Sequence, residues 1–285
     1  MTELKDFRIG VVGAGLMGTE IALVHALSGH QVVLADRNEP ALSAAMARLT
    51  GIVDKGIARG FYESSLKAPT LTAIRTTTDL SELADSDLVV EAVFEKEEIK
   101  AEVISTLDGC LKPDAIIATN TSTIPITVLA SHVGEERQPH FIGTHYFSPV
   151  SRMTLVEVIP ALQTSDETIF TTMRLCHAIG KTPIRIKDVT GFAVNRLLHV
   201  MLIEAVRLVE EGVASPSDID QACRLGLGHP LGPFELMDAT TSSLCLQVQD
   251  ILFQAYGERF RPRPLLKQRV QAGYVGGRGK TGWRV

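Results

Sequence analysis

Short apolar runs alternate with longer stretches of helical spacing through most of the chain. RIGVV (8–12) is a continuous apolar run, the mark of a strand buried on both faces. It feeds GAGLMG (13–18) and then TEIALVHALSG, where Ile21, Ala22, Val24, His25 and Leu27 fall on helical spacing and Gly29 stands where a helix-ending glycine belongs. QVVLAD (31–36) is the next strand. Strand, glycine turn, helix and strand make one βαβ unit, and such a crossover implies a parallel sheet. Asn38-Glu39-Pro40 supplies a cap and a first-turn proline for a helix reaching about residue 60. DLVVEAV (87–93), AIIATN (115–120), HFIGTHY (140–146) and LVEVIP (155–160) read as strands, with helical spacing between the first three. Thr164 or Ser165 opens a helix that closes near Gly180, and TPIRIK (182–187) is a last strand. The expectation is an α/β fold, an open doubly wound and mostly parallel sheet over residues 1–187.

After Asp188 the texture changes. GFAVNRLLHVMLIEAVRLVEEG (191–212) is one long helical stretch, apolar around most of its circumference. Ser215-Pro216-Ser217-Asp218 is a cap, first-turn proline and acid signature for the next helix, and another helical run spans about 241–256. LGLGHPLGPFELMDA between them is punctuated by glycine and proline. Residues 188–285 therefore read as an all-helical second domain. So apolar a helix in so small a unit points to a second copy of the chain, a homodimer joined through this domain.

Composition narrows the classes. Of 285 residues, 45% are hydrophobic and 21% charged, which excludes a disordered or collagen-like chain. No apolar stretch approaches the roughly 18–20 residues of a membrane span. The opening MTELKDFRIG carries acids, and glycines break the apolar run after it, so it does not read as a secretory signal. Four cysteines (Cys110, Cys176, Cys223, Cys245) lie far apart with no CxxC pair; neither a metal site nor a disulfide framework is expected, and a cytoplasmic home is the simplest. The net charge of −5 argues against a nucleic-acid binder. From Arg259 onward, however, there are eight basic residues (Arg259, Arg261, Arg263, Lys267, Arg269, Arg278, Lys280, Arg284) and no acid. That run is read either as a solvated tail or subunit contact, or as cations that meet a ligand phosphate.

The glycine turn carries the first chemistry. GxGxxG alone is weak, but here it follows a strand and opens a helix within a βαβ unit, the context that makes it a dinucleotide fingerprint. Gly13 permits the tight turn, Gly15 lets the backbone approach a pyrophosphate, and Gly18 lets the helix pack close to the sheet. The helix start at Leu16 and Met17 presents unpaired N–H groups to phosphate. Asp36 ends the second strand, where a carboxylate accepts from both ribose hydroxyls and repels a 2′-phosphate, so NAD is the expected cofactor.

Eight histidines compete for the role of a proton acceptor near working pH. His25, His177 and His199 sit in helical runs, and His30, His132, His140 and His229 at turns or loop edges. His145 alone stands near the carboxyl end of a predicted strand, where ligands gather in open α/β sheets. Glu157, in LVEVI, is a carboxylate in apolar surroundings: either an acid that orients a histidine or an edge glutamate facing solvent.

TNTST (119–123), THYFSP (144–149), LVEVI (155–159), GFAVNR (191–196), GPFEL and the closing KTGW occur in the order and spacing of the L-3-hydroxyacyl-CoA dehydrogenases, which the chain resembles over essentially its whole length. The resemblance implies oxidation of the 3-hydroxyl of an acyl-CoA with hydride passing to NAD, or the reverse. It selects His145 as general acid/base, Glu157 as its orienting acid, Ser122 as partner of the substrate hydroxyl and Asn195 as partner of the developing oxygen or thioester carbonyl, in a cleft between domains. It further implies that Glu91 and Lys96 line the cofactor, and that Lys55 and Arg59 meet CoA phosphates. The chain departs from the family pattern at Ser148, where many relatives carry asparagine, and after Asp238, where ATTSSLCLQ replaces a Gly-Leu-Asp turn. Two other readings keep the fold: a dehydrogenase of a free hydroxy or sugar acid, as in the gulonate dehydrogenase relatives, and a non-catalytic dinucleotide-binding or structural protein.

Overall fold

A computed structural model describes residues 4–283; the acid at Glu3 and the last cation of the basic run, Arg284, lie outside the described residues. The chain forms two compact units, one ending at Asp188 and the other beginning at Val189. The first contains β1 (Ile9–Val12), α1 (Leu16–Leu27), β2 (Val32–Ala35), α2 (Glu39–Ala58), α3 (Lys67–Thr72), β3 (Ile74–Thr77), β4 (Leu88–Glu91), α4 (Glu97–Cys110), β5 (Ile116–Thr119), α5 (Ile126–Ala130), β6 (Phe141–Tyr146), β7 (Leu155–Pro160), α6 (Asp166–Ala178) and β8 (Thr182–Arg185). The second contains α7 (Val194–Glu210), α8 (Pro216–Gly226), α9 (Pro233–Thr240), α10 (Ser242–Tyr256) and α11 (Pro264–Gln271).

The strands form one sheet in the order β3-β2-β1-β4-β5-β6-β7-β8. All neighbours pair in parallel except β6 and β7, which are antiparallel. The central strands read as unbroken apolar runs because both faces are covered: β1, β4 and β5 are buried at every position. Helix α1 is buried along nearly its whole length, from Gly18 to Ala26. Its residues Ile21, Leu23 and Val24 join Leu34, Leu42, Leu49, Val90 and Val158 in the core of the first unit. Chain order reverses about β1, whose neighbours are β2 and β4, and the carboxyl ends of β1 and β4 frame the crevice where such sheets take ligands.

Local signals fix the helix starts. Asn38 caps α2 by accepting from the Ala41 N–H, with Pro40 in the first turn. Of the two candidates for α6, Ser165 is the cap, accepting from Thr168 N–H. Ser215 caps α8 through Asp218 N–H. Strand β3 is the element the hydrophobic pattern does not announce. It is an edge strand reading Ile-Arg-Thr-Thr, buried only at its ends, and its pairing with β2 defines it.

In the second unit, Leu202, Ala205, Val206, Phe234, Met237, Leu266 and Trp283 make the core. Helix α7 is buried along one face, while Leu197 and Val200 lie exposed on it. Three cations of the basic run engage groups of this unit. Arg263 pairs with Glu210, Arg261 with Glu258, and Arg269 stacks 4.5 Å over Trp283 while donating to the Gly282 carbonyl.

Candidate active site

The glycine turn is built by contacts that admit no side chain. Gly13 has φ 105°, and a Cβ there would stand 2.7 Å from the Ala92 carbonyl beyond β4. A Cβ on Gly18 would overlap the Gly13 carbonyl, so only glycine lets α1 approach the strand. Above Gly15 there is open space within 4 Å, and Gly15 gives α1 no side-chain cap. The first-turn N–H groups, Leu16 and Met17 included, are thus left for an external acceptor. Asp36, just past β2, accepts from Ala14 N–H at 2.8 Å through one carboxylate oxygen and from Asn38 N–H at 3.0 Å through the other. This ties it to the turn, and a carboxylate retains further acceptor capacity for ribose hydroxyls. The residues fit an adenine dinucleotide.

At the carboxyl end of β6, His145 stands directly opposite Glu157 of β7 in the antiparallel register. The pairing brings the two side chains onto one face, with His145 Nδ1 at 2.8 Å from Glu157 Oε2. Glu157 is fully enclosed and His145 nearly so. The carboxylate can only accept, so Nδ1 carries the proton and Nε2 presents a lone pair. Ser122 Oγ lies 3.1 Å from that Nε2. The segment joining the two strands is held from both sides: Glu20 accepts from Ser151 N–H at 2.8 Å, and Lys181 donates to the carbonyls of Val150 and Met153.

Ser122, His145 and Glu157 form a row that serves two chemistries, nucleophilic attack by the serine or proton transfer by the imidazole. Attack on an acyl carbon needs N–H donors for the oxyanion. The N–H groups of Ser122 and Thr123 both donate to Glu95 Oε1, at 2.8 and 2.9 Å, and are not free for that role. The row is suited to proton transfer.

Glu91 is completely enclosed, its carboxylate bonded to Lys100 Nζ, Thr119 Oγ1 and Val93 N–H. Lys96 is an exposed residue at the start of α4. The acid and lysine that do approach the Ser122 turn are Glu95 and Lys100, which the motif reading passed over. Lys100 carried a sequence signal: with Ile104 and Leu107 it falls on the buried stripe of α4, where a lysine demands a partner. Lys55 and Arg59, at the end of α2, are exposed; nearby, Arg152 sits 5.1 Å over the ring of Phe61. Asn195 lies in the first turn of α7 in the second unit. Among the described residues no cluster of potential ligands suits a metal ion, and no helix is long and apolar enough to cross a membrane.

A family model described as the 3-hydroxyacyl-CoA dehydrogenase NAD binding domain matches residues 8–189, and the C-terminal domain of the same family matches residues 191–284. The chain is 43% identical over 280 residues to a probable 3-hydroxybutyryl-CoA dehydrogenase of Deinococcus radiodurans, covering 97% of this chain and 99% of that one. It is 37% identical to the 3-hydroxybutyryl-CoA dehydrogenase of Clostridioides difficile, covering 97% and 98%. The crystal structure of the (S)-3-hydroxybutyryl-CoA dehydrogenase of Ralstonia eutropha superposes with a TM-score of 0.93 at 37% identity, covering 98% and 99%. Two matched domains in order, a dinucleotide turn and likeness along the whole length lead to one conclusion: this chain is an NAD-dependent oxidoreductase that belongs to the 3-hydroxyacyl-CoA dehydrogenase family.

Proposed function

We propose that the chain interconverts L-3-hydroxyacyl-CoA and 3-oxoacyl-CoA, with His145 as general acid/base held by Glu157. The observation that carries this reading is the hydrogen-bonded row from Ser122 Oγ through the His145 ring to Glu157. In the oxidising direction Nε2 takes the proton of the substrate 3-hydroxyl, and the positive charge that forms is stabilised by the Glu157 carboxylate at 2.8 Å. Ser122 hydrogen-bonds the same hydroxyl oxygen and aligns it with the ring. A bound NAD would supply the hydride acceptor for carbon 3. The turn at Gly13, Gly15, Leu16, Met17 and Gly18 would hold its pyrophosphate and Asp36 its ribose hydroxyls. Lys55 and Arg59 supply exposed cations for the CoA phosphates, and Asn195 is assigned the thioester carbonyl on the family's pattern.

A homodimer formed through the second unit is part of this reading, supported by the exposed apolar side chains of α7 and α8. The four cysteines are free thiols, which suits a reducing cytoplasm.

The test is NADH absorbance with acetoacetyl-CoA, free acetoacetate and gulonate as separate substrates. Turnover confined to the thioester is the expected result. Turnover with the free acids alone would move the reaction to that class, and no turnover with any of them would leave a non-catalytic dinucleotide-binding protein.

A further inference from the structure

Ser122 sits in a bend just beyond β5 that belongs to no helix or strand, so neither ladder holds it in place. One carboxylate oxygen gathers four of the bonds that fix the turn. Glu95 Oε1 accepts from Thr121 Oγ1 at 2.6 Å, Ser122 N–H at 2.8 Å, Thr123 N–H at 2.9 Å and Thr123 Oγ1 at 3.1 Å. A carboxylate has about four acceptor positions over both oxygens, so four donors on one of them saturate it.

The other side of the turn is tied as well. The Lys100 ammonium, with no exposed surface, donates to both oxygens of Glu91 at 2.9 and 3.1 Å and to the carbonyl of Asn120 at 3.1 Å, the residue that leads into the bend. It also stands 3.7 Å from Glu95 Oε2. Glu91 balances the lysine charge, and the lysine in turn draws Glu95 against the turn. Residues 120–123 are thereby gripped at the Asn120 carbonyl, two residues before the serine, and at the N–H groups of Ser122 and Thr123.

We propose that Glu95 is a positioning residue for Ser122, acting through the backbone of the 121–123 turn with Lys100 fixing its place; the proposal rests on the catalytic reading of Ser122 given above. The hydroxyl at 3.1 Å from His145 Nε2 is aimed by a backbone that Glu95 holds, and displacement of a reacting group by about 1 Å is enough to cost on the order of 10²-fold.

The test compares Glu95→Ala, Glu95→Gln and Ser122→Ala, alone and as the Glu95→Ala/Ser122→Ala pair, with hydrogen exchange of the Ser122 and Thr123 amides measured in the chain free of ligands. Glu95→Ala is expected to lower kcat by about 10- to 100-fold with KM changed little, and to speed exchange at both amides. Glu95→Gln keeps a carbonyl acceptor and should recover most of the rate and the protection. In the Ser122→Ala background the same Glu95→Ala change should cost almost nothing more. Equal losses in both backgrounds, or unaltered exchange at the two amides, overturn the proposal. If Glu95→Ala does not fold, Glu95→Asp, one methylene too short for the grip, takes its place with the same expectations. Full activity in Ser122→Ala would remove the reading of Ser122 itself, whereas a slow Ser122→Ala beside a fast Glu95→Ala removes only the role of Glu95.

Discussion

The side chain of His145 is told what to do by its two neighbours. Glu157 fixes which nitrogen carries the proton, and the Ser122 hydroxyl marks where the other nitrogen points. Removing the imidazole as His145→Ala should lower kcat by about 10²–10⁴-fold, the usual worth of a general base, while NADH affinity by fluorescence titration stays near its original value. A variant that keeps its rate would end this mechanism. Residue chemistry was only partly legible in the sequence. His145 stood out among eight histidines through the motif around it and its place at a strand end. The roles of Glu95 and Lys100 did not show, since they come from a bend whose partners lie twenty or more residues away, at Asn120 to Thr123. A carboxylate's four donors cannot be read from spacing.

Elements were legible where the signal is local. The glycine turn, the caps at Asn38, Ser165 and Ser215, and the apolar central strands each declare themselves within a few residues. Strand β3 did not, because its pairing with β2 defines it more than pattern does. The reversed direction of β7 was within reach, since residues 147–154 between β6 and β7 are too few for a parallel crossover. The departure after Asp238 has a local consequence. Thr241, which caps α10 through the Leu244 N–H, adopts φ 96°, a conformation β-branched residues avoid. Strain of this kind costs on the order of 1–3 kcal/mol, whereas exchanging a threonine cap for glycine costs only a few tenths. Thr241→Gly should therefore raise stability by about 1 kcal/mol in a urea titration, and a loss of stability would show that the backbone is not strained there.

At the scale of the whole molecule, His25 and His199 contribute to the response to acid. His25 in the first unit is held neutral by burial, reinforced by His30 and Lys181, its pKa pushed down to about 3 from 6.5. Burial alone lowers His199 in the second unit to about 4. Neither ring nitrogen of His25 has a hydrogen-bond partner among the described residues. Both folded pKa values lie below the unfolded value, so stability is intact above about pH 6.5 and drains away as pH falls towards 3, each histidine adding about 1.4 kcal/mol per pH unit within its own window. His25→Leu should flatten the acid limb of a stability–pH curve by roughly one proton's worth, and an unchanged slope would show that His25 does not stay neutral. The proposed homodimer has its own signature. Leu197 on α7 and Leu225 on α8 are 76% and 79% exposed, faces that a second copy would cover. Leu197→Asp/Leu225→Asp should sediment as a monomer; a dimer that persists would place the contact elsewhere.

Because His145 and Glu157 meet as cross-strand partners, the proposed mechanism makes turnover an audit of the folding of the sheet. Slippage of β7 by a single position would set Val156 or Val158 against the imidazole and turn the glutamate to the opposite side. Such a molecule would keep its secondary structure and its cofactor turn while losing turnover, so after renaturation the ratio of specific activity to recovered ellipticity counts the correctly threaded fraction.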